Sequence, residues 1–169
     1  SAKAKADRKL RDGIVAAIRR ETEKATKIAE ANRKKEAAAT AAKPNANGTN
    51  VVVKPSRPKS PLEDAPEGAI ISADFEKNKG RLPWPIERGK IKIHFATYSI
   101  EGSTVRGNNP GLTLETEPGA SVRAVFEGEV ITVFDVDGSA AVVIKHGKYF
   151  TSYSNLASVN VSKGQKVTA

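Results

Sequence analysis

Few residues in this chain could do chemistry. It holds two histidines, His94 and His146, and no cysteine, which excludes a thiol nucleophile, a disulfide framework and a thiolate zinc finger. A hydrolytic zinc centre needs about three imidazole or carboxylate donors close to 2 Å and one open water position. Building one here would require His94 or His146 to converge with a carboxylate such as Glu115 or Glu117. His94 sits mid-strand between Ile93 and Phe95, and His146 precedes Gly147 at a strand end. Neither has a nearby acid at ligand spacing, so both read as ordinary strand or turn histidines, and no bound metal or cofactor is expected.

The aromatic residues admit two readings each. Trp84, within Leu82-Pro83-Trp84-Pro85, could be a ligand platform, since Trp is a common interface anchor. The preferred reading is a rigid entry segment whose indole packs on the sheet, because the flanking prolines fix an extended backbone. By period two, Tyr149, Thr151 and Tyr153 share one face of a strand while Phe150 and Ser152 take the other. Phe150 is then a core residue, and the two tyrosines either border a groove or cap a sheet edge.

Positioning these residues falls to a body of short β-type runs after Gly68: Lys90 to Phe95, Leu112 to Glu115, Ser121 to Phe126, Glu129 to Asp135, Ala140 to His146, Tyr149 to Tyr153 and Ser158 to Val161. Glycine-bearing turns such as Asp137-Gly138 and Lys163-Gly164 separate them. The spacing predicts a mainly β, antiparallel sandwich or barrel-like domain over 68–169, without a helix long enough for a crossover. Ahead of it, residues 44–67 are rich in Pro, Asn, Ser and Lys and read as a flexible linker with one apolar triplet, Val51 to Val53.

Residues 1–43 are rich in Ala, Lys, Arg and Glu and predict a helix over roughly 5–40. Its apolar stripe, Leu10, Ile14, Ala17 or Ile18, Ala25 and Ile28, is thin, so the helix wants a partner or its own domain. A coiled-coil end and a solvated single helix are both compatible with it. The formal charge of +9 is concentrated there: thirteen Lys or Arg against six Asp or Glu in 1–43, three against three in 44–67, twelve against ten in 68–169. Interspersed acids and missing aromatics argue against a nucleic-acid arm, so no nucleic-acid partner is expected. No apolar run reaches the roughly 20 residues of a membrane span. The start at Ser1 and the lack of any Met suggest a processed or cloned piece without a visible signal peptide.

Six segments in order carry a family resemblance. Asn78-Lys79-Gly80-Arg81-Leu82-Pro83-Trp84-Pro85-Ile86 and Asn109-Pro110-Gly111-Leu112-Thr113-Leu114 open it. Gly119 to Val130, Val143-Ile144-Lys145-His146-Gly147, Tyr153-Ser154-Asn155-Leu156 and Val161 to Val167 continue it. Together they resemble the lysostaphin-like, or LytM, peptidase domain, and with the linker and basic helix they are most similar to EnvC-like murein hydrolase activators.

Active members of the family hold zinc with a His-x-x-x-Asp pair and a His from a later His-x-His, with a further His in "Y-x-H-L" assisting water. Here Asn109 stands at the first His, Thr113 at the Asp and Asn155 at the third-motif His, and the chain stops at Ala169 ahead of the His-x-His segment. An amide is a poor zinc donor and a carboxamide has no basic site near pH 7. The resemblance therefore implies a degenerate pseudoenzyme without catalytic residues, in a periplasmic or other extracytoplasmic envelope compartment. Its metal-free groove, lined by Asn109, Thr113, Tyr153 and Asn155, would bind a cell-wall amidase and activate septal peptidoglycan splitting. Peptidoglycan is a further implied partner, and an upstream membrane complex would engage the helical region. Alternatives are a binding module for peptidoglycan or a scaffold, and an active zinc endopeptidase.

Overall fold

The computed structural model describes residues 2–41, 60–99 and 106–169. The linker reading over 44–67 lies outside the described residues as far as 59, including Val51 to Val53. Of the remainder, Pro61–Glu63 forms a single 3-10 turn, with the Ser60 side chain accepting from the Leu62 amide.

A long N-terminal helix followed by antiparallel β-sheets is what the structure shows. Helix α1 runs Ala2–Ala41 and α2 runs Pro66–Lys77. The strands are β1 Lys90–Ile93, β2 Ala96–Ser99, β3 Arg106–Asn109, β4 Thr113–Glu115, β5 Gly128–Val136, β6 Ser139–His146, β7 Tyr149–Leu156 and β8 Lys166–Val167. The chain divides into two compact units, one of residues 1–82 with 126–168 and one essentially of 83–125.

In the first unit the sheet order is β7-β6-β5-β8, antiparallel throughout. Asp137 (φ 52°) and Gly138 (φ 84°) both take positive φ between β5 and β6, the backbone that a two-residue hairpin turn with matching twist demands. Alternation then assigns the faces. Val143 and Lys145 of β6 face α1, where Ala17, Ile131 and Val143 form a buried cluster joined by Ile14, Phe134 and Phe150. Phe150 is thus the core residue that its period-two position implied. Val142, Ile144 and His146 face the other way, toward α2. Helical stability in proteins comes mostly from packing of an apolar face, and α1 packs Ala17, buried, and Ile14, half-buried, against the sheet.

Helix α2 was not expected. The β domain is expected to begin at Gly68, yet Pro66 occupies the first helical turn, Glu67 lies in that turn and Lys77 in the last, charges that complement the helix dipole. Two runs expected as strands are not strands. Of Ser121 to Phe126, only Val122 makes an isolated bridge, to Ile86, because no neighbouring strand offers a ladder. Ser158 to Val161 stays irregular. The edge of β5 is taken instead by β8, which follows the turn at Gly164: Gly164 N donates to Val130 O at 2.7 Å and Val130 N to Gln165 O at 2.9 Å.

The second unit consists of two antiparallel pairs, β1 with β4 and β2 with β3. Ile93 lies opposite Thr113, after an irregularity between Ile91 and Ile93, and Ala96 lies opposite Asn109. The indole of Trp84 does not pack away as expected: it is 56% exposed.

Candidate functional site

Asn109 closes β3 and Thr113 opens β4, four residues on. The Asn109 side chain is half-buried, and the two hydrogens of its Nδ2 are shared among three oxygens, each 3.2 Å away: the carbonyls of Ile93 and His94 and the Thr113 hydroxyl. One carboxamide thereby ties the end of β1 to the β3–β4 turn. Its hydrogens, rather than a lone pair, point at its neighbours. His94 joins this cluster through its backbone carbonyl while the residue itself is exposed. Ala96, opposite Asn109, has φ 82°, a left-handed conformation that costs a non-glycine residue roughly 1–2 kcal/mol. Backbone strain therefore sits beside the Asn109 cluster.

Tyr153 and Asn155 belong to the other unit, on β7. Asn155 is exposed and has φ 60°, a conformation that Asn tolerates better than most residues. Tyr153 is half-buried opposite Val142, and its hydroxyl lies 3.3 Å from Thr151 Oγ1.

That hydroxyl begins a network around His146. Thr151 Oγ1 is 2.8 Å from His146 Nε2, and His146 Nδ1 is 2.6 Å from the Glu127 carbonyl. The carbonyl can only accept, so Nδ1 carries the proton, and a neutral ring then accepts at Nε2 from Thr151. The ring is fully buried and stacks on Phe75 of α2 with centroids 5.1 Å apart; Phe126 packs edge-on to both rings. Burial pushes the imidazole below its ordinary pKa, opposed by the hydrogen bond and partial charge of Glu127. A Cβ on Gly128 would stand 2.7 Å from His146 Nδ1 and 2.4 Å from the Lys145 carbonyl, so the imidazole fits only because residue 128 has no side chain. His146 is the strand-end histidine that the sequence suggested, committed to packing on both sides.

Sequence reasoning missed what faces this histidine. Tyr149 stacks on Phe75 and donates to Glu76 Oε1 at 2.6 Å, and Ser72 Oγ accepts from the Lys148 amide at 2.9 Å. Lys148 pairs with Glu63 and Glu76 at 3.2 and 2.7 Å, and its pKa is raised above the ordinary lysine value chiefly by those two carboxylates. The available signal was the spacing of Ser72, Phe75 and Glu76 on one helical face, concealed by reading Gly68 as a boundary.

Zinc is the metal implied by the resemblance to active lysostaphin-like domains, and it requires three anionic or imidazole donors. Asn109 offers amide hydrogens and Thr113 a hydroxyl. Among the described residues no three His, Cys, Asp or Glu side chains are grouped so as to hold a metal ion. The described residues thus do not supply the donor set, and no step is routed through a metal. Among them no helix is long and apolar enough to cross a membrane.

Comparison with known proteins gives one result. No curated protein and no solved structure matches the chain. Residues 107–169, from within β3 through β8, match the model of Peptidase family M23.

Proposed function

We propose that this chain is a non-catalytic regulator that activates cell-wall N-acetylmuramoyl-alanine amidases for septal peptidoglycan splitting, working in the extracytoplasmic envelope of a bacterium. The M23 match over 107–169 supports the cell-wall setting. The observation that carries the non-catalytic reading is the commitment of the Asn109 amide hydrogens to Ile93, His94 and Thr113. Where the motif of an active member would place a metal donor, this chain has a side chain that fastens its own backbone.

A surface without charged metal ligands is cheaper to dehydrate against a protein than one holding exposed carboxylates. Asn109 and Thr113 on one unit, and Tyr153 and Asn155 on the other, are the positions proposed to contact the amidase. The basic helix α1 is proposed to engage an upstream membrane complex. Nothing in this reading requires a cofactor.

Release of dye from labelled sacculi tests it, measured with a cell-wall amidase, with and without this protein, and with the protein alone plus zinc. Stimulation confined to the mixtures that contain amidase is expected. Zinc-dependent release by the protein alone would overturn the reading in favour of a peptidase.

A further inference from the structure

Trp84 forms one wall of a cleft of about 200 Å³ within the unit 83–125, lined also by Ile86, Ile91, Leu114, Glu87 and Lys90. The volume lies below the roughly 300–1,000 Å³ of sites that engulf a drug-sized ligand, leaving room for one ring. Pro83 and Pro85 fix the backbone on either side of the tryptophan, which lowers the backbone entropy lost on binding. Its exposure of 56% leaves a large aromatic surface wet.

The chemistry of the walls selects the occupant. An apolar side chain from a partner protein would fit against Trp84, Ile86 and Leu114, but would dehydrate Glu87 and Lys90 without returning a hydrogen bond. A sugar ring has one face of C–H groups, suited to an aromatic wall, and an edge of hydroxyls that can donate to a carboxylate and accept from an ammonium. Lys90 pairs with Glu115, 3.2 Å away, with further hydrogens available on its Nζ.

We propose that this cleft binds a single pyranose ring of a glycan chain, stacked on Trp84 with its hydroxyls met by Glu87 and Lys90. The lining of the cleft includes neither Asn109 nor Thr113, and binding there does not depend on amidase activation. It would give the protein a direct hold on polysaccharide.

The chain contains a single tryptophan, so its fluorescence reports this cleft alone. The test titrates the intact chain with a tetramer of β-1,4-linked N-acetylglucosamine and, separately, with N-acetylleucinamide. A saturable shift with the tetramer is expected, with a Kd on the order of 1 mM for one engaged ring. Ligand-observed NMR should show retained binding in Trp84→Phe and about tenfold weakening in Trp84→Ala. The wild-type titration stands even if Trp84→Ala folds poorly. Absence of saturation by the tetramer overturns the proposal, as does saturation by N-acetylleucinamide at equal or lower concentration, which would assign the cleft to a protein side chain.

Discussion

The carboxamide nitrogen of Asn109 lies 3.2 Å from the hydroxyl of Thr113, and the same nitrogen reaches the carbonyls of Ile93 and His94. Two positions whose residue types could not hold zinc are thus bonded to each other. The four-residue interval between Asn109 and Thr113 closes the turn from β3 to β4.

If donation is what Asn109 contributes, Asn109→Ala should lower stability by about 1–2 kcal/mol, the cost of leaving half-buried carbonyls without a partner. Asn109→Asp should cost more, because a carboxylate would face the Ile93 and His94 oxygens. Urea midpoints give the ranking. An Asp variant as stable as the Ala variant would show that the amide hydrogens are not the reason for Asn at this position.

Strands β5 and β6 were legible where alternation met the glycine-bearing turn at Asp137-Gly138, and the long helix from its Ala, Lys, Arg and Glu content, whereas β3, which carries Asn109, was not among the expected strands. Periodicity does not reveal whether a run finds a partner. Ser121 to Phe126 alternates well and pairs at one point only, while Lys166–Val167, two residues long, completes a ladder that backbone geometry at Gly164 makes available. At the candidate site the sequence singled out Asn109 and Thr113 through the family resemblance. It did not indicate that Asn109 would fasten β1, because Ile93 and His94 accept through backbone atoms that no residue type encodes.

His146 links stability to pH. Its folded-state pKa lies below the ordinary value near 6.5, so the unfolded chain binds the proton more readily and stability rises with pH through this window. The contribution is complete above about pH 6.5 and is lost as pH falls toward the folded value. Unfolding free energies measured between pH 7.5 and 5 should therefore decline. His146→Gln, which cannot titrate, should flatten that decline while costing about 1–3 kcal/mol at pH 7.5. An unchanged slope in the variant would assign the decline to other groups.

Gly147 fixes the approach of α2. Its φ is 65°, and a Cβ there would lie 2.1 Å from Ser72 Oγ and 2.5 Å from the Gly68 carbonyl. Gly147→Ala combines left-handed strain with a clash that only movement of α2 can relieve, so a loss of about 2–4 kcal/mol is expected. Hydrogen exchange should quicken across residues 66–77 more than in α1. Uniform acceleration over both helices would show that α2 is not the element displaced.

The ion pair between Glu21 of α1 and Lys145 of β6 anchors the opposite face, with side chains 16% and 21% exposed. Burial disfavours the Lys145 charge, and the hydrogen bond and charge of Glu21, aided by Glu129 at 3.4 Å, outweigh it and leave the lysine pKa above its usual value. Glu21→Gln keeps the volume and removes the charge, leaving a half-buried ammonium with Glu129 as its remaining acid among these contacts. Stability should fall by about 1–2 kcal/mol, less than for a fully buried pair because water reaches this one. Lys145→Met leaves the Glu21 carboxylate, 16% exposed, without its ammonium and should also be destabilising, and adding Glu21→Gln to Lys145→Met should recover part of that loss. A double-mutant cycle by chemical denaturation measures the coupling. Additive losses would mean that α1 is held by its apolar contacts at Ile14 and Ala17 and that the ion pair contributes nothing of its own.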